Sequence, residues 1–274
     1  MDKPKTKLSS RTTIIKKEAI KQVRIIPQSS CYVLEVVYEK KAQERDLNND
    51  RFIALDLGVN NLATISNSFN DKPIIINGKP IKSINQYYNK KKAHIQSQLK
   101  KNHGKYSSKR LIQLTQKRNL KIQDYIHNCS KYIIDYCIKN RVRNVVIGHN
   151  KEWKQEVKLG KRNNQNFVQI PFNTLIHQIQ YKAELNDIEV QIHEESYTSK
   201  CDALAVEDLK KHENYLGKRT HRGLFKSSVG VNLNADINGS LIILRKVIGD
   251  GFISELDRGC VVQPVKVNPL QTSA

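Results

Sequence analysis

Cysteine is scarce in this chain and badly placed for cross-linking. The five residues Cys31, Cys129, Cys137, Cys201 and Cys260 are odd in number and scattered, so no disulfide framework is implied. No Cys-x-x-Cys pair occurs, which excludes a cysteine-rich zinc ribbon; zinc is not expected. Long apolar runs are missing too. None approaches the roughly 18 residues that a bilayer span requires, so no membrane partner is expected. The N-terminus carries Lys3, Lys5, Lys7 and Arg11 where a secretory signal would need an apolar stretch. These absences point to a reducing cytoplasm.

Negative charge is the third shortage. Asp and Glu total 26 against 47 Lys and Arg, a formal net charge of +21 over 274 residues. A compact chain with that surplus repels itself unless a polyanion neutralises it, and nucleic acid is the abundant cytoplasmic polyanion. Nucleoid association is the expected address. Between Asp71 and Asp124 there is no acidic residue at all, whereas Lys90, Lys91, Lys92, Lys100, Lys101, Lys109, Arg110, Lys117 and Arg118 crowd the interval. A merely solvated helix usually mixes both signs, so a phosphate-facing surface is the preferred reading.

The length suits one large domain or two small ones. Residues 1–20 read as a basic lead-in. Alternating apolar positions from Lys21 to Tyr38, broken by Pro27 to Ser30, predict a hairpin, and 40–50 a charged linker. Arg51 to Leu57, Leu62 to Ser66 and Pro73 to Asn77 predict three antiparallel strands joined by tight turns. Three- and four-residue spacing then predicts helices over Ile81 to about Gln98 and Lys109 to about Lys139, with a corner at Gly104. Strands at Arg143 to Ile147 and Ile188 to Ile192 flank a helix opening at Pro171. Glu194 to Val231 lacks periodicity, Asn234 to Ile248 is helical, and 251–274 reads as a loose tail. This order predicts an α/β fold with a mixed sheet, patterned like a ribonuclease-H-like domain over 51–250.

Chemistry would need the carboxylates. Asp56 interrupts an apolar strand, although a strand-end Asp capping a turn is the plainer alternative. Asp236 opens the last helix, where the macrodipole alone favours an acid. Glu194 and Glu195 follow a strand, and adjacent strand residues face opposite sides, so at most one points where Asp56 does. Converging on neighbouring strand ends, such groups form an oxygen cage for Mg²⁺ or Mn²⁺ and support phosphodiester hydrolysis.

The run Phe52-Ile53-Ala54-Leu55-Asp56-Leu57-Gly58-Val59-Asn60-Asn61 resembles the first RuvC motif of the TnpB (OrfB) proteins of insertion sequences. Ile170-Pro171-Phe172 with Tyr181-Lys182-Ala183-Glu184, then Glu194 to Lys200, and Asn234-Ala235-Asp236-Ile237-Asn238-Gly239 continue the resemblance in order, over about residues 21–270. It implies a RuvC nuclease domain, a wedge remnant at 21–45, and an RNA-guided, metal-dependent DNA endonuclease related to type V CRISPR effectors, in a family named for transposases. The implied partners are a guide RNA from the element's own end and target DNA. The commoner family pattern ends the strand at 144–148 with Glu, whereas this chain has Gly148. A subgroup carries the acid next door, which implies Glu195 as the relocated ligand, with Glu194 second. Asp56, Glu195 and Asp236 are then the catalytic and metal-binding set. The chain also resembles an N-terminally short copy, and the alternatives are a nuclease-dead guided DNA binder or an inactive relic binding nucleic acid non-specifically.

Smaller signals complete the reading. Trp153 and Lys154 suit base stacking or, equally, a loop anchor. Lys218, Arg219 and Arg222 are expected to meet phosphates. His193 is read as an ordinary strand-end residue, and no His–Asp pair accompanies Ser196 or Ser199 for serine chemistry.

Overall fold

The computed structural model describes residues 19–28, 31–104, 106–149, 167–221 and 223–271. The chain divides into two units, one ending at Ala42 and one spanning Gln43–Ala274. In the first, β1 (Ile20–Pro27) and β2 (Tyr32–Tyr38) pair antiparallel as the hairpin expected, with Ile25 opposite Leu34. Alternation of apolar side chains is the cause, and the ion pairs Lys21–Glu39 and Arg24–Glu35 stitch the strands across.

The second unit is built on a six-stranded mixed sheet. β3 (Asn48–Leu57), β4 (Asn61–Asn67) and β5 (Ile74–Asn77) form the antiparallel meander that the turns at Gly58 and 68–72 predict. β6 (Val142–Gly148) and β7 (Glu189–His193) add to it in parallel on the β3 side. The sheet's opposite edge corrects the loose-tail expectation: β11 (Val265–Val267) pairs parallel with β5, opposite Ile74 to Ile76. Three residues give too short a periodicity to be read in advance.

Helices α1 (Lys79–His103) and α2 (Lys109–Lys139) run as the spacing predicts. Pro80 starts the first, Gly104 ends it in the left-handed region at φ 59°, and the Ser108 side chain caps the second by accepting from the Leu111 N–H. The second half of α2 is not a basic surface. Ile122, Tyr125, Ile126, Cys129 and Ile133 are buried with α3 (Phe172–Glu184) against Ile53, Leu55, Val145 and Ile147. The first half of α2 carries the exposed cations Lys109, Arg110, Lys117 and Lys121, whereas the exposed charges of the second half, Asp124, Lys131, Asp135 and Lys139, mix both signs.

The other face of the sheet receives α4 (Ala235–Ile248), which packs Ile243 and Leu244 on Ala54 and Val146. Before it lie three short strands, β8 (Lys218–His221), β9 (Leu224–Lys226) and β10 (Asn232–Asn234), paired antiparallel in the order β10-β9-β8. Two further helices, α5 (Gly251–Glu255) and α6 (Arg258–Val261), lead to β11.

Carboxylates organise the segment that showed no periodicity. Asp202, fully buried, accepts from the Ser227 hydroxyl at 2.8 Å and the Ser228 N–H at 2.7 Å. Glu207 accepts from the N–H groups of Asp202 at 2.7 Å and Leu216 at 2.8 Å. Cys201 sits beside them, buried, its thiol directed at the Asp208 and Lys210 carbonyls. Charge-assisted bonds to backbone N–H groups are strong, so two acids can pin loops that lack a core of their own.

Candidate active site and nucleic-acid interface

Strand alternation aims Asp56. Ile53, Leu55 and Leu57 face α2 and α3, which leaves Ala54 and Asp56 on the face covered by α4. The next strand repeats the pattern, with Val146 and Gly148 on that face and Leu55 level with Ile147. Asp56 and Gly148 therefore stand side by side at the ends of adjacent parallel strands.

Two glycines make the room. A Cβ on Gly239, one turn into α4, would lie 2.6 Å from the Asp56 Oδ2. A Cβ on Gly148 would lie 2.5 Å from Glu195 Oε1 and 2.8 Å from Glu195 Cγ. Both separations are too close for any side chain, so the Glu195 side chain occupies the space that a residue larger than glycine at 148 would fill. Glu195 arrives there from the turn after β7. Gly148 pairs with His193, placing that turn directly over the β6 end.

The turn is held from within by Lys246 of α4. Its Nζ donates to the Glu194 carbonyl at 2.9 Å, the Ser196 carbonyl at 2.7 Å and the Ser196 hydroxyl at 3.2 Å. Thr198 closes the turn by donating its hydroxyl to the Glu195 carbonyl at 3.0 Å. Glu194 is exposed, in a separate cleft with His193, Asp208 and Asp250. Of the two glutamates, Glu195 is brought to Asp56 and Glu194 is not.

Asp236 enters from the first turn of α4, where the Asn234 side chain caps the helix by accepting the Asp236 N–H. Its Oδ2 accepts from the Asn61 side chain at 2.7 Å, and its Oδ1 lies 3.9 Å from the Arg219 guanidinium. Along α4, Asp236, Gly239, Ile243 and Lys246 recur at helical spacing. One helix face thus supplies an acid, the gap for Asp56, the contact over Gly148 and the clamp on the Glu195 turn.

The electrostatics follow. Burial, then the neighbouring Glu195 and Asp236 carboxylates, push Asp56 well above the usual carboxylate range, and Arg219 pulls the other way. Burial pushes Glu195 up to about 7, opposed by Lys246. The cluster concentrates negative charge that the protein compensates only in part. Among the described residues no three His, Cys, Asp or Glu side chains close into a ready metal cage. Asp236 is instead engaged by the Asn61 side chain and lies near Arg219.

The basic residues divide. Lys90, Lys91, Lys100, Lys101, Lys109, Arg110 and Lys117 are exposed along the α1–α2 arm, and Lys92 is half-buried there. Arg118 differs from its neighbours in being half-buried. Its guanidinium donates to Asn85 Oδ1 at 2.8 Å, Asn119 Oδ1 at 2.9 Å and the Gln169 carbonyl at 3.2 Å, and stacks over Tyr88. These contacts brace the two helices, a role that its basic neighbourhood in sequence conceals. Lys218 and Arg219 are exposed on β8, and Arg219 also borders the acidic site. Trp153, Lys154 and Arg222 lie outside the described residues. Sequence reasoning missed Lys246, and it quoted Gly239 within a motif without its role beside Asp56; their helical spacing from Asp236 is the signal that would have found both.

Residues 35–154 match the OrfB_IS605 family, described as a probable transposase, and residues 172–243 match the Cas12f1-like TNB domain. The fold is similar to that of a chain in a cryo-EM structure of a Cas12f1–sgRNA–target DNA complex, with TM-score 0.60 and 18% identity over 77% of this chain. A second cryo-EM structure, of a CRISPR–Cas12f ternary complex, matches with TM-score 0.52 and 19% identity over 81% of this chain. The chain spans 42% and 44% of the length of those two solved chains. No curated protein matches.

Proposed function

We propose that this chain, which belongs to the TnpB/OrfB family related to the type V effectors, is an RNA-guided, divalent-metal-dependent DNA endonuclease acting through Asp56, Glu195 and Asp236. The observation that carries the reading is the Glu195 carboxylate seated over Gly148, beside Asp56. It supports a relocated acid in place of a lost one, because the site keeps three carboxylates from β3, the turn after β7, and α4.

The donor set fits Mg²⁺ or Mn²⁺: all three groups offer hard oxygen ligands, and their mutual repulsion is what a divalent cation relieves. When bound, such a cation supplies an activated water and stabilises the leaving oxygen of a phosphodiester. The chain's own part is placement. Asp56 and Glu195 must be ionised to ligate, Lys246 fixes the Glu195 turn, and Asn61 orients Asp236. Arg219 stands where it can meet a phosphate oxygen as the strand approaches. The exposed lysines of α1, α2 and β8 supply the sequence-independent attraction for RNA and DNA backbones, and base pairing would read sequence. The sgRNA and target DNA of the Cas12f1 complex suggest the same two partners here.

The test is cleavage of guide-matched DNA with Mg²⁺ by protein co-expressed with its flanking element RNA. Cutting that is lost in Asp56→Ala and in Glu195→Ala is the expected result. Retained cutting in Glu195→Ala removes that residue from the ligand set. Matched binding without cutting would replace the nuclease by a guided DNA binder.

A further inference from the structure

Two adjacent tyrosines on α1 are used in opposite ways. Tyr88 is committed to the fold: its hydroxyl bonds Thr115 at 3.1 Å, and Lys92 and Arg118 cover its ring. Tyr87 is 60% exposed. It forms a wall of two clefts between α1 and α2, one of about 440 Å³ and one of about 270 Å³, which share Leu114 and Lys117. Lys121 lines the first; Lys91 and Arg110 line the second, and Lys91 Nζ lies 5.9 Å from the Tyr87 ring centroid. No acidic residue occurs from 72 to 123 to offset these cations.

An exposed aromatic face beside an apolar floor and bordered by cations is the pairing that an unstacked nucleotide requires. The ring and Leu114 meet the base, and the lysines and Arg110 meet the flanking phosphates. A duplex hides its base faces, and surface lysines alone would attract duplex and single strand alike. We propose that the Tyr87 cleft is a base-stacking site for a single-stranded nucleotide, with Tyr87 as the stacking platform and Lys117 as the shared phosphate contact. The site deepens the nucleic-acid-binding part of the proposed function and rests on no part of its cleavage chemistry. The occupant's chemistry is common to unpaired guide RNA and to displaced DNA.

The test measures binding of a labelled single-stranded oligouridylate, the matching oligothymidylate and a blunt DNA duplex to the full chain, in EDTA so that cleavage cannot intervene. Tyr87→Ala should weaken single-strand binding about tenfold, within the range for loss of one stacked base. Duplex binding and the salt slope should stay unchanged, because no charge is removed, and Tyr87→Phe should bind like wild type. Lys117→Ala should instead flatten the salt slope by about 0.7 for single strands. A tighter oligouridylate identifies RNA as the occupant, and a tighter oligothymidylate identifies DNA. Unchanged single-strand affinity in Tyr87→Ala, or an equal loss on duplex, overturns the site. Guided cleavage with no Tyr87 effect would defeat this proposal alone, and a Tyr87 effect in a chain that never cuts would defeat only the nuclease.

Discussion

The acidic end of the sheet and the basic α1–α2 arm both gather charge of one sign, yet they hold it under opposite conditions. Asp56 and Glu195 are withdrawn from water, which pushes both carboxyls upward; the Glu195 and Asp236 carboxylates push Asp56 further, while Arg219 and Lys246 pull the other way. The arm spreads its lysines over two exposed helix faces, where each stays fully hydrated and repulsion is screened. The first arrangement suits a cation bound at one place. The second suits general attraction of a long polyanion, with the proposed Tyr87 cleft as its one point of fixed contact. The guided nuclease proposed above would need both, and the chain separates the two charge clusters by burial.

The most direct way to break the comparison is to move the acid. Glu195→Ala should lower cleavage about 10³-fold, since losing a ligand forfeits several kcal/mol of charge stabilisation, whereas Glu194→Ala should change it little. The paired change Gly148→Glu with Glu195→Gly returns a carboxylate from β6 into the vacated space, so it should recover part of the loss. Cleavage of matched DNA with titrated Mg²⁺ reads all three. No recovery by the pair, together with normal thermal unfolding, would show that the route from the β7 turn matters beyond its carboxylate.

A smaller effect comes from the clamp. Lys246→Met removes the three bonds that fix the Glu195 turn, and an expected loss of about tenfold in cleavage corresponds to about 1.4 kcal/mol of positioning. Lys246→Arg should recover much of it. In the Gly148→Glu, Glu195→Gly background, Lys246→Met should cost little, because the acid no longer hangs from that turn. Equal losses in both backgrounds would assign Lys246 a general structural role.

The arm offers a contrast within one helix. Arg118→Leu should destabilise the fold by about 1–2 kcal/mol, since Asn85 and the Gln169 carbonyl lose a charged donor. Its exposed neighbour Lys117→Ala should leave stability within about 0.5 kcal/mol and act only on nucleic-acid affinity. Urea unfolding beside RNA binding separates them.

That pair also shows how far the sequence could be read. The meander, the two long helices, β6, α3, β7 and α4 follow from periodicity, caps and turns, all of which are local. The two carboxylates on regular elements, Asp56 and Asp236, were legible for the same reason. Whether Glu194 or Glu195 faces Asp56 depends on a turn held by Lys246, about fifty residues away, and no local pattern contains that bond. Arg118 and Lys117 look alike in sequence because a cation's role is set by Asn85 and Gln169 across the fold. The segment from Asp202 to Ser228 has no periodicity because its order comes from two buried carboxylates bonding to loop backbone. Long-range polar contacts, unlike apolar stripes, leave no repeat to count.

The smallest expected effect is on stability, and its direction follows from the raised carboxyls. A folded-state pKa above the unfolded value means that the folded chain keeps protons which the unfolded chain releases. For Glu195 the stabilising contribution is full below about pH 4.5 and is lost as the pH rises through about 7; Asp56 acts in the same direction. His127, lowered by burial and by Lys182, acts oppositely as the pH falls below its ordinary value of 6.5, so wild type alone cannot isolate the cluster. The informative quantity is the difference between wild type and Glu195→Gln in metal-free urea unfolding from pH 5 to pH 7.5. The Gln variant should gain relative stability as the pH rises. Mg²⁺ should then stabilise wild type more at pH 7.5 than at pH 5, and the variant less at either, because only ionised carboxylates ligate. A wild-type advantage growing with pH in EDTA would mean that Lys246 and Arg219 already satisfy the acidic end without a cation, and the contrast between the two regions would disappear.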